Sequence, residues 1–112
     1  MRFEWDENKN RQNLLKHAIR FETAALIFED PYMLAEKDPS WADEERWNTL
    51  GSVAPEVVLF VVHTWFEVDG EEVIRIISAR AAESREREKY EEAHQGAKRR
   101  HRGYRRHERR RH

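Results

Sequence analysis

The chain has 112 residues, a formal net charge of −1, 38% charged residues and no cysteine. That length supports one domain with one modest core, not a deep lidded cavity, so any chemistry belongs on an open surface or shallow groove, which suits a polymer substrate. Without cysteine, disulfides and thiolate metal sites are excluded.

The near-zero net charge conceals a split. Residues 98–112 carry nine basic residues against one acid, Glu108, whereas residues 1–97 carry 12 basic and 21 acidic residues. The expected organisation is a body over 1–96 and a basic tail over 97–112, read as disordered. The tail is a nucleic-acid arm that displaces phosphate counterions, an extension that folds loosely back on the acidic body, or a cloning remnant with a His-rich end. The start, Met1-Arg2-Phe3-Glu4-Trp5-Asp6, has no apolar signal-peptide region. The longest apolar run, Val57 to Val62, is too short for a membrane span. A cytoplasmic location without a membrane partner is expected.

In chain order, Phe3-Glu4-Trp5 alternates as a short strand. Asp6 is placed to cap a helix over Glu7–His17, with Leu14 and Leu15 as its apolar contribution. Phe21, Ala24, Ala25 and Phe28 recur at helical spacing and predict a second helix, which Asp30-Pro31 ends. Tyr32 to Ala35 reads as a strand, Glu36 to Glu44 as a loop and Glu45 to Ser52 as a strand. A turn over residues 53–56 leads to Val57–Phe66, apolar on both faces and therefore central. Asp69-Gly70 marks a hairpin before a last strand over Glu72–Ser78. A helix from Ala81 to Gln95 ends at Gly96. The order β-α-α-β-β-β-β-α predicts an α+β fold: a small antiparallel sheet, two N-terminal helices and one C-terminal helix.

No glycine-rich phosphate loop and no paired histidines at metal spacing occur in the body, and neither metal nor cofactor is expected. His17, His63 and His94 stand singly and read as structural or solvated. The informative stretch is Arg75 to Glu92. Arg75 lies within an apolar strand, and Arg80 sits where that strand meets the helix. Glu83, Arg87, Tyr90 and His94 share one helix face. That stripe is either a salt-bridged face with Tyr90 packed as its anchor, or a groove where guanidinium groups bind phosphates and an aromatic ring stacks on a base.

These segments together resemble the BrnT toxins. Phe3 to Pro31 is similar to the family's opening, with Trp-Asp, then Lys16-His17, then Phe-Glu-x-Ala and Asp-Pro. Glu44-Glu45-Arg46, Leu50-Gly51-Ser52, Arg75-Ile76-Ile77-Ser78-Ala79-Arg80 and Glu86-Arg87-x-x-Tyr90-Glu91 resemble its later motifs. The chain differs at Ala18, where a glycine is usual, and at Phe66 and Ala82, where polar or basic residues are common. The resemblance implies a RelE-like fold, ribonuclease activity without a metal, and a ribbon–helix–helix antitoxin of the BrnA type. The complex with that antitoxin would bind operator DNA. The expected catalytic residues are Arg75, Arg80 and Arg87 on phosphate and transition-state charge, Glu45 as base, and His17 as base or acid. Lys16, Arg46 and Tyr90 are expected to bind RNA. The alternative is a non-catalytic relative acting with its antitoxin as a DNA-binding co-repressor.

Overall fold

The computed structural model describes residues 1–40 and 45–95. Glu44, Gly96 and the basic segment 97–112 lie outside the described residues. The elements are β1 (Arg2–Glu4), α1 (Glu7–His17), α2 (Phe21–Ala24) continued by a 3₁₀ turn (Ala25–Glu29), β2 (Leu34–Asp38), β3 (Arg46–Ala54), β4 (Val57–Val68), β5 (Glu71–Ala81) and α3 (84–95). The fold is α+β in the expected order.

The five strands form one sheet in the order β1-β5-β4-β3-β2. β2 to β5 make an antiparallel meander, and β1 pairs parallel to β5, Arg2 opposite Val73. The expected antiparallel sheet thus gains one parallel edge. The chain between β1 and β5 runs through both helices and strands β2 to β4, so the parallel pair needs no tight turn, which could not make one. Asp69 and Gly70 both adopt positive φ, 51° and 81°, the primed hairpin turn that Asp-Gly favours.

Two expectations change for physical reasons. The inward side of α1 carries Asn10 and Asn13, while Leu14 is 36% and Leu15 88% exposed. The asparagines face inward because they bind backbone. Asn10 accepts from Phe21 N–H at 2.8 Å and donates to Glu22 at 2.8 Å, holding the Glu22 carboxyl below its ordinary range. Asn13 donates to the carbonyls of Ala79 (2.7 Å) and Ile19 (2.9 Å) and accepts from Ala79 N–H (3.1 Å). In the second helix the chain tightens to a 3₁₀ turn after Ala24. The buried stripe therefore runs Phe21, Ala24, Ile27 at three-residue spacing instead of ending on Phe28.

The core lies between these helices and one sheet face. Phe21, Ala24 and Ile27 pack on Leu59, Val61, Ile74, Ile76 and Ala79. Each large buried aliphatic or aromatic side chain there contributes roughly 1.5–3 kcal/mol. Gly51 admits the 3₁₀ turn closely: a Cβ there would lie 2.6 Å from Ile27 Cβ. On the opposite face, α3 closes a smaller cluster of Tyr90, Leu50 and Val58, with Tyr32, Leu34, Phe60 and Ala82 packed against it. That face is covered at one end only, and its other end lies open.

Candidate functional site

Strand alternation aligns the α3-bearing face into rows. Arg80, Phe60, Leu50 and Leu34 pair across four strands, at the end α3 covers. The next row is Ser78, Val62, Asn48 and Glu36. A further row holds Glu4 and Thr64 on either side of Arg75, with Arg46 beside Asp38 continuing it by alternation. Arg75 is exposed and makes no ion pair or side-chain hydrogen bond among the described residues. Thr64 next to it is 4% exposed, and its Oγ1 has no partner; Asn48 Oδ1 is likewise buried and unpaired. Buried polar atoms normally find partners, so these two neighbouring rows hold unused hydrogen-bonding capacity among the described residues. Neither Thr64 nor Asn48 stands out in the sequence, because each is an ordinary polar residue in a strand.

Arg80 is placed differently from Arg75. Its guanidinium grips Glu86 through two bonds, 2.7 and 2.9 Å, and lies 4.2 Å from the centre of the Phe60 ring. The Glu86 hydrogen bond raises the Arg80 pKa, and the same bond lowers that of Glu86. Glu86 also accepts from Glu83 N–H at 2.8 Å, one half of a capping box at the start of α3. Arg80 therefore joins β5 to α3. Arg87, half-buried, lies 3.9 Å from Glu91 one turn on.

Tyr90 is 4% exposed. Its hydroxyl donates to Asp30 at 2.5 Å, and Asp30 also accepts from Ser52 N–H (2.9 Å) and Tyr32 N–H (2.9 Å). Burial, then the Asp30 bond, pushes the phenol well above its ordinary range. A ring enclosed in this way anchors α3, and no base has access to stack on it. His94 stacks on Tyr32 at 4.2 Å rather than facing a groove.

Lys16 and His17 come together at the last turn of α1. With Lys9, Gln12, Asn13, Ile77 and Ser78 they line a groove of about 250 Å³ along the edge of β5. It lies beside the bulge where Val62 pairs Ser78 and His63 pairs Ile76, which leaves Ile77 unpaired. Ser78 belongs both to this groove and to the sheet face of Arg75. Glu45 stands apart, just before β3, and is ion-paired with Lys37 at 3.0 Å. Its neighbour Arg46 is half-buried at the same strand end. The fold thus groups Arg75 with Arg46, and Lys16 with His17, and sets Arg80, Arg87 and Tyr90 on the α3 side.

His63 is fully buried. It contacts Thr49 Oγ1 at 2.6 Å through Nε2 and Thr64 O at 3.0 Å through Nδ1, and burial lowers its pKa to about 4. It is a structural histidine, neutral near pH 7. No group of three metal-ligating side chains occurs among the described residues, and none of their helices is long and apolar enough to cross a membrane.

Comparison with known proteins adds three findings. Residues 5–86 match the family described as the ribonuclease toxin BrnT of type II toxin–antitoxin systems. The 1.1 Å crystal structure of the ribonuclease toxin BrnT from Brucella abortus is similar at 26% identity, with a TM-score of 0.53 over 75% of this chain and 99% of that one. No curated protein matches the chain.

Proposed function

We propose that this chain, which belongs to the BrnT family of ribonuclease toxins of type II toxin–antitoxin systems, cleaves RNA without a metal on the Arg75 face of its sheet. The observation that carries the reading is Arg75 itself: an exposed guanidinium, unpaired among the described residues, on the part of the sheet that α3 leaves open. A fork of N–H donors fits a phosphodiester in two-pronged fashion.

In the proposed reaction the RNA 2′-oxygen attacks the adjacent phosphorus as its proton leaves to a base. The bond to the 5′-oxygen breaks, and that oxygen takes a proton. The products are a 2′,3′-cyclic phosphate and a 5′-hydroxyl. Arg75 stabilises the charge that builds on the phosphorane oxygens. Lys16 and Arg46 hold flanking phosphates. His17, beside Lys16 in the groove that reaches Ser78, serves as base or acid, since an imidazole ring has one nitrogen that can accept a proton and another that can donate one. Glu45 is the second candidate base, released from Lys37 when RNA binds. Arg80 and Arg87 add field from the α3 side. The protein partner is a ribbon–helix–helix antitoxin of the BrnA type, whose complex with the toxin binds operator DNA.

Purified chain should cleave total RNA equally with and without EDTA. Arg75→Ala should lower the rate about a hundredfold, the scale of one lost transition-state donor, while unfolding as the parent does. Undiminished cleavage by the folded variant removes Arg75 from the mechanism, and EDTA-sensitive cleavage removes the metal-free route.

A second reading draws on a separate observation. Arg80 is bound to Glu86 and Arg87 lies beside Glu91, so two of three expected cations have partners within the protein. A non-catalytic relative acting as an antitoxin-bound co-repressor would look like this. Growth arrest on expression without antitoxin decides for the ribonuclease, and normal growth with intact RNA decides for the co-repressor.

A further inference from the structure

The hairpin end of the sheet face that α2 and its 3₁₀ turn cover holds a cleft that the proposed reaction does not use, beside Phe28 and His63. Trp47, Trp65, Phe66, Glu67 and Glu72 line a space of about 310 Å³. The two indoles meet edge to face, 5.5 Å between centres at 62°, and the nearby Phe66 and Val68 are 46% and 39% exposed. Glu67 and Glu72 are direct cross-strand partners. Like charges directly opposite in a sheet are destabilising, and neither carboxylate has a cation or donor among the described residues. Trp47 Nε1 is buried without an acceptor. A cation already attends this aromatic pair, because Lys37 Nζ lies 5.6 Å from the centre of the Trp47 ring.

We propose that this cleft docks an arginine side chain of the antitoxin polypeptide. The guanidinium would stack on an indole face and fork to Glu67 and Glu72, removing their repulsion. Arginine fits better than lysine because its charge is planar and presents several donors at once. A polypeptide fits better than RNA because two carboxylates at the rim repel phosphates. The antitoxin as source rests on the toxin–antitoxin reading. Glu72 lies three strand positions from Arg75, an odd number that puts the two on opposite faces of the sheet, so the cleft is separate from the proposed catalytic face.

The test uses full-length protein and a purified ribbon–helix–helix antitoxin of the BrnA type, with affinity measured by calorimetry. The double variant Glu67→Gln/Glu72→Gln should bind roughly tenfold more weakly, unfold at an equal or higher urea concentration, and cleave RNA as the parent does. A second measurement follows the indole N–H resonances of Trp47 and Trp65 during titration with N-acetyl-arginine methylamide. Saturable shifts that the uncharged citrulline analogue does not produce are expected. Equal antitoxin affinity for parent and double variant overturns the docking site while leaving the toxin–antitoxin reading intact. Shifts produced by a short single-stranded RNA instead of the arginine probe overturn the choice of ligand. Absence of any antitoxin binding by the parent overturns the reading on which the proposal rests.

Discussion

Ala18 ends α1 with φ 60°, and its N–H closes the helix on Leu14 O at 2.9 Å. A Cβ in that left-handed region costs about 1 kcal/mol, and glycine recovers part of it after the entropy of a freer unfolded chain is counted. Ala18→Gly should therefore stabilise the protein by about 0.5–1 kcal/mol, read as a higher urea midpoint; a lower midpoint would contradict the backbone geometry at residue 18. His63 sets a second expectation. Its pKa falls from 6.5 to about 4 on folding because burial penalises the charged ring. The unfolded chain then binds the proton first, so the associated stability is complete above pH 6.5 and drains away as pH falls toward 4. Between pH 7 and pH 5, above the range where Glu22 and Glu86 titrate, the loss should be about 2 kcal/mol. A folded His63→Gln variant should lack that slope, and an equal slope in both proteins would assign the acid sensitivity elsewhere.

At the scale of elements, α3 is attached by polar contacts as much as by its small apolar cluster. Arg80 and Glu86 are 29% and 21% exposed in their side chains, and their two bonds tie the helix to β5. Arg80→Ala should cost about 2 kcal/mol of stability, the range for bonds between charged groups, seen as a lower thermal midpoint and faster amide exchange in 84–95. A variant with parental stability and lost cleavage would return Arg80 to the phosphate. The same contacts explain what the sequence makes legible. Element order and the Asp6 cap were readable because they depend on local pattern, and Asp6 does accept from Asn8 and Lys9 N–H. The inward Asn13 was not, because its reason is a carbonyl and an N–H on β5, far along the chain. Arg75 and Arg80 look alike in sequence and lie on one face of one strand; what separates them is that α3 and Glu86 lie over Arg80 alone. Tyr90 was readable as an anchor or as a stacking platform, and the choice depended on Asp30.

For the whole molecule, charge is the governing quantity. Residues 1–97 hold 12 basic and 21 acidic side chains, and nine of the chain's cations lie beyond them. A chain truncated after Gly96 should keep its fold and its intrinsic cleavage chemistry. It should bind an unrelated RNA more weakly, with a flatter dependence on salt, because fewer counterions are released. Parallel binding curves for both lengths across a salt series would show that the basic segment does not meet nucleic acid. The parallel pairing of Arg2 with Val73 bears on the order of synthesis. The first strand leaves the ribosome early and must wait for the last, because β5 is its partner and Asn13 of α1 has its acceptor on that strand as well. Until β5 emerges, the nascent chain has no Arg75, no completed sheet and no seat for either N-terminal element. Such long-range closure slows folding. Because β5 runs to Ala81, a chain built this way completes its sheet only once that strand has left the ribosome.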